Sequence, residues 1–253
     1  MAKGHALSGI AIGLGTAPLV GDGIQGTTLA WVGTVAGCAL LPDLDVAGSR
    51  AGRMWGPVTG GVHATILGKR RTLIPGMADV VGTIAGGHRR GSHSVLGLLV
   101  LLAVTSLAAW STWVSAAVVA LLVGLALTVV GALIPERQFI EWWPGNLGLS
   151  IAGGWIVVHT DVQLPLWVAV AMALGAAVHI AGDMITVQGC PLGWPTQPRR
   201  VYLLPARLRI EVNGLAERWL ITPVLGVAAV AMALHAAGLD LGDLLQAIRD
   251  SYY

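Results

Sequence analysis

The stretch that decides the fold runs from Val95 to Ile134, VLGLLVLLAVTSLAAWSTWVSAAVVALLVGLALTVVGALI, and holds no charged residue. A membrane-spanning helix needs about 20 apolar residues, with about 17 tolerable. The stretch therefore predicts two spans that turn near Ser111-Thr112-Trp113, with Trp110 and Trp113 placed as interfacial anchors. Composition agrees. Hydrophobic residues make up 55% and charged residues 11% of the 253, and mean hydropathy is +0.74. A soluble domain carries roughly 25% charged residues, so this chain lacks the polar surface to cover itself in water. The class it predicts is an all-α integral membrane protein, a single membrane domain over residues 1–253.

Working outward, further apolar runs extend over Ala6–Val20, Thr27–Leu41, Leu147–Val158, Leu164–Val187 and Trp219–Leu239. Together they predict a helical bundle of about seven spans. The first two runs carry small-xxx-small spacing, Gly9/Gly13 and Gly33/Gly37, which predicts a tight hairpin. The N-terminus weakly resembles a signal peptide but has no A-x-A cleavage pattern, so it reads as a retained first helix. Residues 43–93 and 188–218 are basic loops, and Val62–Leu67 and Met77–Ile84 are candidates for short interfacial helices. Pro135–Gly145, with Glu136, Arg137 and Glu141, reads as a polar turn, and the tail to Tyr253 as weakly amphipathic. Cys38 and Cys190 lack CxxC spacing and support neither a disulfide framework nor a thiolate metal site. With Lys3 inside, every one of the 15 Lys and Arg residues except Arg249 falls on the inner side. That bias predicts a multi-pass cell-membrane protein with a cytoplasmic N-terminus.

The polar residues follow the same sidedness. His88-Arg89-Arg90-Gly91-Ser92-His93-Ser94 immediately precedes the uncharged stretch. Basic residues there are commonplace as topology signals, yet two imidazoles five apart also suit metal binding, and arginine forks suit phosphate oxygens. On the predicted topology His5, Asp43, Asp45, His88, His93, His179 and Asp183 all reach the cytoplasmic face. Each has an ordinary reading on its own: an interfacial histidine, a helix-ending turn, a hydrogen-bonded pair between helices. His179 and Asp183, however, are spaced i,i+4 on one helical face inside a span, where ionisable groups are costly and default to function. His63 lies in the same loop without an acidic neighbour in sequence. Mixed imidazole and carboxylate donors suit zinc, manganese or iron. Seven ligands exceed one tetrahedral site, which leaves room for a two-metal centre of the kind that acts on phosphoesters.

Four blocks resemble the LexA-binding, inner membrane-associated hydrolase family of membrane-bound, metal-dependent hydrolases. They are His5-Ala-Leu-Ser-Gly9, Leu40-Leu41-Pro42-Asp43-Leu44-Asp45, His88 through Ser94, and His179-Ile-Ala-Gly-Asp183 followed by Thr186, Gly189, Pro191 and Trp194-Pro195. They occur in the family's order over residues 5–195. Where the family often has His-Pro after Pro-Asp-x-Asp, this chain has Val46-Ala47. The resemblance implies an inner-membrane hydrolase, phospholipase-like in character. From residues and resemblance together, the expected function is metal-dependent hydrolysis of a phosphoester, with a divalent cation, zinc or manganese. Asp43, Asp45, His88, His93, His179 and Asp183 are the expected ligands, His5 completes or supports the site, and Arg89 and Arg90 neutralise phosphate. Expected partners are membrane lipid and a protein at the basic loops, without direct nucleic-acid binding. The rivals are a non-enzymatic metal-binding scaffold or regulator and a transporter.

Overall fold

The computed structural model describes residues 2–21, 26–66, 69–132, 138, 142–239 and 249–250. In chain order its helices are α1 (Ala2–Thr16), α2 (Gly26–Cys38), α3 (Pro57–Gly60), α4 (Met77–Ile84) and α5 (Val95–Ser106). They continue with α6 (Thr112–Gly131), α7 (Trp143–Thr160), α8 (Leu166–Met184) and α9 (Thr222–Ala236). The uncharged stretch breaks where hydroxyls enter it. Ser94 caps α5, its Oγ accepting from the Gly97 amide at 3.1 Å, and Ser111 caps α6 by accepting from Val114. The turn thus falls where the sequence places it, and Trp110 and Trp113 beside it are exposed.

Among the described residues three helices are long and apolar enough to cross a membrane: α6 with 20 residues, α8 with 19, and the 20-residue stretch Glu217–Ala236 that ends in α9. Fewer helices qualify among the described residues than there are apolar runs in the sequence, in part because a run can be apolar without being continuously helical. α1 and α2 have 15 and 13 residues, short of the about 20 that cross a bilayer unaided. α5 passes into a 3-10 turn at Leu107–Trp110.

The all-α expectation also needs correction. Val62–Ile66 is strand β1, paired antiparallel with β2 (Lys69–Ile74), where a short helix was expected over Val62–Leu67. A short apolar run has no length in which helical period can declare itself, and the β-branched Val62, Thr65 and Ile66 favour extension. The helix expected at Met77–Ile84 forms as α4. The polar turn at Glu136, Arg137 and Glu141, most of the C-terminal tail, and the turn at Asp22-Gly23 lie outside the described residues.

Small residues set how closely the bundle packs. A Cβ on Gly9 would sit 2.8 Å from the Ala36 Cα, and one on Gly13 3.0 Å from the Val32 Cα, so α1 and α2 form the expected tight pair. The other half of that expectation fails: Gly33 has open space around it, and Gly37 faces Leu125 of α6. α8 approaches α2 through Gly175, whose Cβ would lie 2.4 Å from the Val35 carbonyl oxygen. The loop after α2 is tied to the bundle by polar contacts. Trp55 donates to Asn146 at 3.1 Å and Ser150 at 3.0 Å on α7, and Arg50 donates to the Gly131 carbonyl at 2.6 Å.

Gly175→Ala is expected to destabilise the fold by about 1–3 kcal/mol, the usual cost of overpacking. Gly33→Ala, with nothing to meet, is expected to be neutral or slightly stabilising. Thermal unfolding of the two purified variants in one detergent checks the pair.

Candidate metal centre

Four irregular or terminal pieces of chain deliver the polar residues to one place. α1 brings His5 in its first turns. The 3-10 segment Leu41–Asp45 after α2 brings Asp43 and Asp45. The segment His88–His93 ahead of α5 brings two more imidazoles, and the last turns of α8 bring His179 and Asp183. Irregular backbone at such depth is tolerated where protein surrounds it.

Asp183 is buried, and its two oxygens have different surroundings. Oδ1 accepts from Arg89 Nη2 at 2.8 Å and lies 3.3 Å from His5 Nε2. Oδ2 has no hydrogen-bond partner among the described residues. It faces His93 Nε2 at 3.5 Å and His179 Nε2 at 3.7 Å, and those two nitrogens are 3.1 Å apart.

Tautomers follow from the outer contacts. His179 Nδ1 lies 2.8 Å from the Ala39 carbonyl, which can only accept, so Nδ1 carries the proton and Nε2 of the neutral ring is a lone pair. The single proton of Ser92 goes to Asp45 Oδ2. His93 Nδ1, 2.9 Å from the Ser92 oxygen, must then donate to it, and His93 Nε2 is also a lone pair. Burial, and after it the neighbouring His179, push His93 down to about 2, so its ring stays neutral. Three acceptors therefore face one another with no hydrogen between them. Asp43 Oδ1, 3.7 Å from His179 Nε2, adds a fourth.

Such an arrangement is repulsive unless a cation sits inside it. Metal–ligand bonds of about 2.0–2.2 Å in tetrahedral geometry place ligand atoms roughly 3.3–3.6 Å apart, close to the separations here. The residues present fit a divalent metal. Asp43 with His93 and His179, and Asp183 with His179 and His5, form groupings able to hold one.

The other predicted residues are near but differently employed. Asp45, His88 and His93 form a further grouping able to hold a metal, but it is already satisfied internally. His88 Nδ1 lies 2.8 Å from Asp45 Oδ1, and Ser92 occupies the other oxygen. Burial works against protonation of His88, yet the hydrogen bond and charge of Asp45, with Asp43 behind it, outweigh burial and hold the imidazole above its ordinary value. His5 stacks on His179 with ring centroids 3.9 Å apart, an approach allowed by Gly182, whose Cβ would lie 3.0 Å from that ring.

Arg89 departs from its expected role. Its backbone is left-handed at φ 54°, which turns the side chain inward to Asp183 and to Thr186 Oγ1 at 3.3 Å. Buried and engaged, it is not a free phosphate ligand, whereas Arg90 remains exposed. His63 pairs with Asp79 at 3.1 Å. Ser92, which links Asp45 to His93, is not among the expected site residues, and its place inside the His88–Ser94 motif is the available signal. Thr186 stands in the last of the four family-like blocks, whereas the Ala39 carbonyl carries no signal.

The family described as YdjM inner membrane protein matches residues 1–239. The chain belongs to that family. Its three apolar helices of spanning length agree with a place in the inner membrane. No curated protein and no solved structure matches it.

Ser92→Ala removes the link that fixes the His93 tautomer while leaving every first-choice ligand in place. Metal affinity is expected to fall by about 10–100-fold, the usual cost of losing an outer partner of a ligand. Competition titration against a fluorescent chelator measures it, and affinity equal to the parent would remove the tautomer assignment.

Proposed function

We propose that this chain is a membrane-bound, metal-dependent hydrolase of a phosphoester, working at the cytoplasmic face of the inner membrane. The observation that supports it best is the bare Asp183 Oδ2 facing two imidazole lone pairs. In this reading His93, His179 and Asp183 bind the ion, and Asp43 closes the fourth side. Zinc or manganese suits that donor set. A divalent cation held there supplies Lewis acidity and brings the pKa of a water toward about 7.

The chain's own residues do the remaining work. Arg89 and His5 hold Asp183 by one oxygen so that the other stays aimed inward. Asp45, through Ser92, holds His93. Arg90, exposed beside the motif, is the cation left to meet an incoming phosphate. His88, 42% exposed and held by Asp45, is placed to hand a proton to the leaving alcohol. Overall, the oxygen of water bonds to phosphorus, the phosphorus–oxygen bond to the alcohol breaks, and the water's proton replaces the one that leaves with the alcohol.

A closed structural metal site would be buried all round. Here the Asp43 side chain is 24% exposed and His88 more so, which favours an enzyme over a non-enzymatic scaffold. The reading keeps the N-terminus cytoplasmic, so that the basic loops share the side of the site and are available to anionic lipid or a protein partner.

Asp183→Asn preserves shape and removes the charge. It is expected to lose bound metal and phosphoesterase activity together, by more than the about 10–100-fold typical of outer-partner loss. Asp43→Asn, partly exposed and without a side-chain hydrogen bond among the described residues, is expected to do the same while leaving thermal stability unchanged. Metal analysis and phosphate release on detergent-purified protein test both. Full metal content and turnover in either variant would remove that carboxylate from the centre, and metal retained without turnover in the parent would favour the scaffold.

A further inference from the structure

Beside the polar cluster lies a cavity of about 470 Å³ that the chemistry described so far does not use. α4 lines it with Val81 and Ile84, α5 with Leu96, Val100, Leu101 and Val104, and Trp194 lines it too. Its size falls within the range of ligand pockets, about 300–1,000 Å³. Among its lining residues the only hydroxyl belongs to Ser92, which bonds Asp45 and His93. Leu41, Pro42 and Leu44, which bracket Asp43, line it as well. The cavity is thus polar only where it adjoins the candidate metal centre, and apolar along its whole length away from it.

Its long side is open. Leu96, Val100 and Val104 each keep about half of their surface exposed, and Ile84 more. Leucine and valine left uncovered along a helix of an inner-membrane protein face hydrocarbon without cost, so an alkyl chain can enter sideways from the bilayer. The lower end is shaped by glycine: a Cβ on Gly97 would lie 2.1 Å from the Gly91 carbonyl oxygen, and one on Gly91 would lie 3.0 Å from Trp194. Side chains at these positions would push α5 off the His88–His93 segment, and the join between cavity and cluster would be lost.

We infer that this cavity seats an acyl chain of a phosphorylated membrane lipid, with its headgroup phosphate at the Asp43–Ser92 end. The inference rests on the hydrolase reading for where the headgroup sits, and on the cavity's own lining for the chain. The substrate class it names is an amphiphile with one anionic phosphate end and at least one alkyl chain, drawn from the surrounding bilayer. A soluble phosphoester would leave the apolar wall without a purpose.

The test uses the full chain in phosphatidylglycerol nanodiscs with a phosphatidic acid carrying a diazirine at mid-chain. After photolysis, mass spectrometry maps the adducts. Adducts on Leu96, Val100, Leu101 and Val104 are expected to exceed those on the more exposed Val224, Val227 and Val230 of α9 by about tenfold, a preference of about 1.4 kcal/mol. Val100→Trp, which fills the cavity from its open side, is expected to lower adducts at Leu96 and Leu101 about tenfold and leave those on α9 unchanged. Equal labelling of α5 and α9 would mean ordinary boundary lipid and overturn the seat, as would labelling that Val100→Trp does not change. If the variant does not fold, the parent's adduct map decides alone. Concentrated adducts on a protein that cleaves no phosphoester keep the seat and remove the hydrolase, whereas turnover with scattered adducts does the reverse.

Discussion

Everything at the polar end of this protein depends on the Asp183 carboxylate being satisfied on one side only. A buried carboxylate costs several kcal/mol unless paired, and Arg89 and His5 meet that cost through Oδ1. If they reached both oxygens, the residue would be an ordinary buried ion pair between helices. They do not, and Oδ2 is left against two imidazole nitrogens that have no proton to offer. Holding one oxygen while exposing the other demands that Arg89 arrive from one direction. That direction is what its left-handed backbone conformation provides. Such conformations cost of order 1–3 kcal/mol and persist where surrounding structure enforces them.

The helix packing can be read from that constraint outward. Gly175 brings α2 against α8 closely enough for the Ala39 carbonyl to meet His179 Nδ1, which sets the lone pair on the opposite nitrogen. Gly182, one residue before Asp183, gives His5 the room to stack on His179 and reach Oδ1. Gly9 and Gly13 let α1 lie against α2, so that the first turn of α1 is delivered to the same level. The close approaches in the bundle are therefore also the means by which each donor is aimed. Losing one should show in the site before it shows in the fold.

Much of this was legible in sequence because it rests on spacing and on the cost of charge in hydrocarbon. His179 and Asp183 are one helical turn apart in an apolar run, and no arrangement of that helix separates them. The turn at Ser111 and helix α4 were legible for the same local reasons. What was not legible depends on contacts between distant segments. Asp45 and Asp183 lie on opposite nitrogens of His93, one acting through Ser92 and the other directly, and nothing in the spelling of Pro42-Asp43-Leu44-Asp45 tells these roles apart. Arg89 and Arg90 look equivalent as neighbours, yet one φ angle sends the first inward and leaves the second outside. The β1–β2 pair was missed because five residues cannot distinguish a helical from an extended period, and the expected seven spans count apolar runs, which hydropathy registers whether or not a helix is continuous through them.

Charge decides what kind of ligand the finished arrangement can attract. Asp45 and His88 form a pair whose imidazole is held toward its protonated form, so together they approach neutrality. Inside that pair stand Asp43 and Asp183 against the single guanidinium of Arg89, with His93 and His179 turning lone pairs toward them. The inner set alone then carries one net negative charge and faces its lone pairs inward, which repels an anion and invites a cation. A divalent ion reverses the sign and leaves one net positive charge, with Arg90 outside adding to it. Only in that loaded state does the mouth favour a phosphate, and it does so next to a wall that is otherwise hydrocarbon. On the proposed reading, an acyl chain and a phosphate, covalently joined, would satisfy both surfaces at once.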